Sequence, residues 1–391
     1  MLDVLSLYLN TVRFLRFRQI IWRFIYMIYR PKIKEVGCLQ LDRWKTLAIP
    51  PIKKRKSFLG DGKFTFLSKD LDIKKTGWHN ETYEKLWMYN LNYFDFLLQG
   101  LTKVEEREVL DLLTDWGYKN KDGLGIPWEP YPTSIRIVNI LKWVLSGNDL
   151  PVEVKNNLIY QIQYLSRKIE WHIDGNHLLA NAKALIFAGF CFNGSEADRW
   201  RKKGHAILFA ELQQQILDDG AHFELSPMYQ SILLEDLIDI LNLYRANSKD
   251  TSNILLLEEY ISKMLGWLLN LTHPDGKISH FNDASMDASI RPHELLDYAR
   301  RLGVSPSKTD HSQCILTSSG FVKSALGETY LVVDAGDIGA SYQPGHAHAD
   351  TACFELSIFG KRVFVNTGIS TYERGPRRLK ERGTSSHNSV E

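Results

Sequence analysis

The sequence predicts a mainly α chain, its helices paired into a toroid or solenoid of hairpins, followed by an antiparallel β domain. Three observations carry this. Between roughly residues 83 and 302, apolar residues recur at three- and four-residue spacing, broken by turn signals and by no strand pattern. Near His311 the spacing becomes alternation, as in Phe354, Leu356 and Ile358 against Glu355 and Ser357. The chain has 391 residues, 44% of them hydrophobic. One core seldom grows past about 250–300 residues, so that length suits two.

Residues 1–30 are apolar but carry Arg13, Arg16, Arg18, Arg23 and Arg30. They contain no uncharged run of about 18 residues, which argues against a transmembrane helix. No basic region precedes the apolar start and no clear cleavage site follows, which argues against a signal peptide. A basic amphipathic helix remains. It packs on the body of the protein or makes a peripheral membrane contact. Residues 31–80, with Pro31, Pro50 and Pro51, read as a connector holding one or two short strands, for example at 63–67.

The helical domain spans 81–308, with helices at roughly 90–118, 132–146, 152–170, 177–191, 196–217, 227–246, 254–271 and 293–302. The β domain spans 309–391. Two strands flank Leu326-Gly327-Glu328, two more flank Gly360-Lys361, and another begins at Ser386-His387-Asn388. A last strand left unpaired exposes an open edge. The β domain is therefore expected to be truncated, and the chain a fragment or a shortened protein.

A net charge of +2 gives no field that would call for nucleic acid. Cys38, Cys191, Cys314 and Cys353 lack paired spacing, so they imply no disulfide framework and leave the compartment open. The run Lys53-Lys54-Arg55-Lys56 reads as a solvated segment. A second basic run (Arg374, Arg377, Arg378, Lys380, Arg382) lies near the histidine motifs and suits an anionic substrate.

Candidate chemistry gathers at a few places. Asn176 reads as the N-cap of a helix, with His177 beside it, and a helix N-terminus offers free N–H groups to a carboxylate. Ser226-Pro227 reads as a cap with proline at the first helical position, which puts Tyr229 in the first turn. In His346-Ala347-His348-Ala349-Asp350, an extended backbone would turn His346, His348 and Asp350 to one side, as for a metal or an acid/base site. His348, Asn366 and His387 meet if their strands are neighbours. Arg136 with Asn139, and Asn92 with Tyr93, are candidates for a sugar-lined groove, and Glu224 and Arg374 join them as substrate-binding candidates.

Taken together, Asn176-His177, Ser226-Pro227-Met228-Tyr229, Gly345-His346-Ala347-His348-Ala349-Asp350 and Ser386-His387-Asn388 resemble the heparinase II/III-like polysaccharide lyases, including related alginate lyases. The resemblance runs from about Tyr89 to the end. It is nearest to members encoded with capsule or surface-polysaccharide genes. It implies an incomplete (α/α) toroid followed by an antiparallel β-sandwich domain, with the cleft between them. It implies that Asn176 and His177 neutralise a uronate carboxylate, that Tyr229 is general base, general acid or both, and that His346 assists. It places His348 and His387 at positions that bind a structural zinc. The remaining ligand there is usually an aspartate, where this chain has Asn366, a poorer donor for which Asp350 could substitute. By resemblance the protein belongs to the bacterial cell envelope or periplasm, while the absence of a clear signal peptide leaves the cytoplasm open.

β-Elimination removes the proton at C5 beside a carboxylate, so the carboxylate charge must be offset by fixed donors. A tyrosine with an ordinary pKa of about 10 needs nearby cations to ionise, and His346 and an arginine are expected to supply them. No cofactor is required for this chemistry. Two other classes compete. A glycoside hydrolase needs two facing carboxylates, for which Asp218, Asp219, Glu224 and Asp236 are available. A non-catalytic glycan-binding or surface-polysaccharide assembly factor would keep the fold without turnover.

Overall fold

The computed structural model describes residues 12–31, 39–42, 44–121, 123–286, 288–307, 312–339 and 342–390. Cys38, His311 and the first eleven residues lie outside them; Cys191 and Cys353 are free thiols. The helical stretch opens with α1 (Phe17–Ile28), which docks on the outside of the domain. The connector then forms a three-stranded antiparallel sheet, β1 (Phe58–Gly60), β2 (Lys63–Phe66) and β3 (Lys69–Asp72), where the sequence predicts one or two strands. Phe58 and Phe64 are fully buried against Phe96, so this sheet belongs to the main core. The short α2 (Ile73–Thr76) follows.

The predicted helix at 90–118 is two. Helix α3 (Lys85–Tyr93) ends because Phe94 adopts a left-handed conformation, and a 3-10 turn at Asp95–Leu98 follows. Helix α4 (Lys103–Lys119) restarts at a capping box, in which Thr102 and Glu105 satisfy each other's backbone donors. The others fall close to expectation: α5 (Pro130–Leu145), α6 (Val152–Arg167), α7 (Gly175–Cys191), α8 (Ser195–Gln215), α9 (Pro227–Asn247), α10 (Thr251–Asn270) and α11 (Pro292–Arg301). Helix α7 is buried on every side except at His177, as an all-round apolar helix must be. Its neighbour α8 approaches closely because Gly204 faces it: a Cβ there would stand 2.8 Å from the Ala182 carbonyl oxygen.

Polar groups also occupy the middle of the helical domain. Asp239 Oδ2 accepts from Lys142 Nζ at 2.7 Å and from Lys183 Nζ at 2.6 Å, and Tyr298 donates to its other oxygen at 3.0 Å. Lys183 also reaches Asp236 at 2.7 Å, and Lys54 pairs with Glu235 at 2.7 Å. Burial alone would raise the Asp239 carboxyl, but the two ammonium groups outweigh it and hold it well below the carboxylate range.

The C-terminal region is a five-stranded antiparallel meander, β4 (Gln313–Leu316), β5 (Phe321–Leu326), β6 (Thr329–Asp334), β7 (Phe354–Ile358) and β8 (Lys361–Phe364). Among the described residues it supplies one sheet of the expected sandwich. Phe321, Tyr330 and Val332 pack on Trp267, Leu271 and Phe281 of the helical domain. The alternation in β7 is present with its sense reversed. Glu355 and Ser357 are fully buried, because His273 bridges them at 2.7 and 2.8 Å, while Phe354, Leu356 and Ile358 are only half-buried. No strand forms at 386–388: a 3-10 turn at Thr384–Ser386 precedes His387, and Asn388 Nδ2 donates to the Phe354 carbonyl at 3.0 Å.

Replacing Asp239 with alanine leaves two buried lysines without their shared carboxylate. The expected loss is about 3–5 kcal/mol of unfolding free energy, read from equilibrium urea denaturation. A loss under about 1 kcal/mol would mean that Asp236 and Glu235 take up both ammonium groups.

Candidate active site

The candidate site is built where three segments present side chains from different elements. The first is the start of α7. Asp174, not Asn176, is the N-cap: its side chain accepts from the Gly175 N–H at 3.1 Å, and Asp174 itself sits at φ 72°. Such a conformation is costly for a non-glycine residue and is held only where the surroundings enforce it. The helix begins two residues earlier than the sequence suggests. Asn176 is thereby released from capping, and its buried Oδ1 has no hydrogen-bond partner. Its amide lies against the Tyr131 phenol. The His177 ring stacks on Tyr131 with centroids 4.3 Å apart, and its Nδ1 lies 3.3 Å from Glu170 Oε1.

The second segment is the start of α9. Ser226 caps the helix from its side chain, and Pro227 occupies the first turn, as the sequence predicts. Tyr229 points into the cleft from that turn. The third is a 3-10 turn at Pro344–His346. His346 lies flat against Tyr229, with ring centroids 4.2 Å apart at 11°, and its Nε2 is 3.2 Å from Tyr229 Oη. Its Nδ1 is hydrogen-bonded to the buried carboxylate of Glu224. On the other side Tyr229 Oη meets Tyr372 Oη at 2.9 Å.

Electrostatics divides these groups. Burial alone would lower the His346 pKa, but the charge of Glu224 and its hydrogen bond outweigh that and raise it above the ordinary value. Tyr229 is pushed well above the ordinary phenol, first by burial and then by Tyr372 and the nearby Asp283 and Glu224 charges. The sequence reading expected cations to lower it. Arg378, whose guanidinium lies 5.5 Å over the ring of Tyr372, is instead committed to Asp283 through two bonds of 2.6 Å. At rest Tyr229 is a protonated phenol beside a strengthened base.

Several sequence candidates lie elsewhere. Arg136 is fully buried, donating to Gln161 Oε1 at 2.7 Å and to the carbonyls of Asn92 and Pro127 at 2.9 and 2.7 Å. Asn92 is buried too, spent on the Trp78 and Met88 carbonyls and the Trp116 indole. Asn139 holds the Tyr93 carbonyl at 2.9 Å and Asp95 at 2.7 Å. These three are structural, because helix-face spacing is the same for a groove and for a core. Tyr93 stays half-buried in a wall of aromatics with Tyr89 and Tyr131. Glu224 holds His346 through one oxygen, and its other oxygen, Oε1, is buried without a partner. Arg374 is exposed, in the loop that carries Tyr372. Tyr372 was missed; its only sequence signal is an aromatic beside the basic run.

The expected convergence of His346, His348 and Asp350 does not occur. The turn at 344–346 sends His346 to Tyr229, while His348 Nε2 reaches Asp283 Oδ1 at 2.8 Å. Asp350 neighbours Asp334, whose carboxyl is pushed up to about 7 by burial and by the charge of Asp350. His348 and His387 do meet, with rings 5.2 Å apart, and Asn366 Oδ1 is 2.6 Å from His387 Nδ1. His348 Nδ1 and His387 Nε2 are buried without partners. Asp350 Oδ2 is buried without a partner as well, and its charge acts on His387. Among the described residues no three His, Cys, Asp or Glu side chains are grouped to hold a metal ion.

Two family models match: the heparinase II/III N-terminus over residues 76–306 and the heparinase II/III-like C-terminal region over 315–391. A heparin-sulfate lyase of Pedobacter heparinus is 26% identical over 296 residues, 68% of this chain and 44% of that protein. One from Bacteroides stercoris is 30% identical over 243 residues, 55% of this chain and 35% of that protein. The chain thus spans less than half the length of these relatives. A crystal structure of heparinase III superposes with a TM-score of 0.63 at 19% identity, covering 78% of this chain and 53% of that one. A mutant heparan sulfate lyase of Pedobacter heparinus gives 0.56 at 21% identity, covering 82% of this chain and 56% of that one.

Removing the Glu224 charge should lower the His346 pKa, since Glu224 is what holds it up. The Glu224→Gln protein followed by imidazole NMR is expected to titrate at lower pH than the parent; an unchanged midpoint would assign the upward shift to Asp283. The stability cost depends on pH in a defined sense. The raised His346 value gives a contribution fully present below its unfolded pKa and lost as pH rises through the folded one. The lowered Glu224 value gives one present above its unfolded pKa and lost as pH falls through the folded one. The variant should therefore lose most stability between the unfolded-state values of the two groups, and less at either side.

Proposed function

This chain belongs to the heparinase II/III family, and we propose that its cleft cleaves a uronate-containing acidic polysaccharide by β-elimination. One observation carries the reading: a buried phenol stacked on a carboxylate-oriented histidine, near an asparagine whose side-chain oxygen is buried without a partner. Glu224 fixes the Nδ1–H of neutral His346, so that Nε2 faces the Tyr229 hydroxyl as an acceptor, the arrangement that activates a weak acid through an oriented base.

The proton inventory closes within these residues. Nε2 takes the Tyr229 proton, and the imidazolium that forms is paired with Glu224. The phenolate removes the C5 proton of the uronate while the Asn176 amide and His177 offset its carboxylate charge. The C4–O bond breaks, a C4–C5 double bond forms, and Tyr229 gives its proton to the leaving oxygen. His346 then returns the first proton to Tyr229. A uronate of opposite C5 configuration would present its proton to His346 directly, with Tyr229 as donor. Tyr93, Tyr131 and the exposed Arg374 are the proposed sugar and anion contacts.

The hydrolase alternative loses its carboxylate pair. Glu224 is held by His346, Asp236 by Lys183, Asp219 by Ser319 at 2.8 Å, and Asp218 is exposed. A pure glycan binder would not need the Tyr229–His346 contact.

Tyr229→Phe keeps the ring and removes the hydroxyl. The ultraviolet absorbance of the unsaturated product, followed with a panel of uronate polysaccharides, should rise with the parent protein and fall by roughly 10²–10⁴-fold in the variant. Turnover that survives the substitution would remove Tyr229 from the chemistry. Binding of the same polysaccharides without any absorbance change would favour the glycan-binding reading.

A further inference from the structure

Helix α1 has two faces with different partners. Its inner face reaches both catalytic segments. Gln19, buried, donates to the Ile173 carbonyl at 3.4 Å and to Gln343 Oε1 at 3.3 Å. Arg18 pairs with Asp174 at 3.0 Å and with Glu211 at 3.1 Å. Asp174 is the cap that sets Asn176, and Gln343 immediately precedes the turn that sets His346. The Arg16 guanidinium lies 3.6 Å over the Tyr342 ring.

The outer face is apolar, and among the described residues it is uncovered. Phe17, Phe24, Met27 and Ile28 are 77, 66, 83 and 81% exposed, and Ile21 lies in the same stripe. Arg13, Arg23 and Arg30 are exposed around it, and the helix sequence contains no acidic residue. Among the described residues no helix is long and apolar enough to cross a membrane. With 12 residues, α1 is about 18 Å long and can lie in a membrane plane.

We propose that α1 docks this protein on an anionic lipid surface, with the Phe17–Ile21–Phe24–Ile28 stripe inserted among acyl chains and Arg13, Arg23 and Arg30 at the headgroups. The charge pattern selects this occupant. A second copy packed on the same stripe would set those arginines against their own counterparts with no acid on the helix to answer them. An anionic lipid surface answers all three, each worth about a five-fold gain in partition. Apolar residues on one side and arginines at the edge are the signature of an interfacial helix. Because the inner face grips the segments bearing Asn176 and His346, docking would fix the cleft's orientation at the surface. The proposal is independent of the elimination chemistry.

The test is co-sedimentation of the full chain with vesicles of phosphatidylcholine, alone or mixed with phosphatidylglycerol. The expected result is binding to the mixed vesicles and little to the neutral ones. Phe17→Ser with Phe24→Ser should reduce it by about ten-fold or more, as should Arg13→Gln, Arg23→Gln and Arg30→Gln together. Both sets change exposed side chains, so thermal unfolding should be unchanged. Equal binding to both vesicle types, or none to either, overturns the proposal. So does lipid-free self-association, seen by light scattering, that Phe17→Ser with Phe24→Ser abolishes while vesicle binding is absent; a second copy would then be the occupant.

Discussion

The cleft depends on one buried carboxylate, that of Asp283. It accepts both guanidinium bonds of Arg378 at 2.6 Å and one from His348 at 2.8 Å. Its backbone carbonyl accepts from Ser226 Oγ at 2.6 Å, beside the cap that aims Tyr229, and its N–H donates to the His346 carbonyl at 3.1 Å. A single residue thus joins the start of α9, the turn bearing His346 and the short helix α12 (Pro376–Glu381), which carries Arg378. Burial would raise its carboxyl, but the bonds from His348 and Arg378 outweigh that and hold it below the ordinary range. A buried ion pair of this kind adds little net stability over an apolar substitute, but breaking it strands a charge. Its role is to fix geometry between two domains.

Polar groups are treated differently on the two sides of this junction. In the middle of the helical domain a cluster of charges is mutually paired, as with Asp239 between Lys142 and Lys183. At the cleft, Asn176 Oδ1 and Glu224 Oε1 are buried with no partner in the protein. Leaving a buried acceptor unmade costs roughly 1–3 kcal/mol, a cost that a site can recover when a ligand supplies the donor. The contrast separates polar residues that hold the fold from those held ready by it. It is also the contrast by which Arg136, Asn92 and Asn139 are set apart from Asn176.

Much of the fold was legible because helix periodicity and capping are local. The Ser226-Pro227 start of α9 and the hairpin turns at 326–328 and 360–361 are written in a few adjacent residues, and the structure has them there. The errors fell where a longer-range partner decides. Phe94 breaks a helix that periodicity alone would continue. The β7 alternation turned over because His273, about eighty residues earlier, offers Glu355 and Ser357 their hydrogen bonds.

For the site, the sequence by itself determined which residue types exist and that each sits near a helix start or a turn, since caps, prolines and glycines act over three or four positions. It could not determine partners. Tyr372 with Tyr229, Glu224 with His346, and Asp283 with Arg378 are separated by 143, 122 and 95 residues and are brought together only by the packing of the sheet on the helical domain. Neither could it give the protonation states. Those follow from burial and neighbouring charge, which are properties of the folded arrangement and of no segment taken alone.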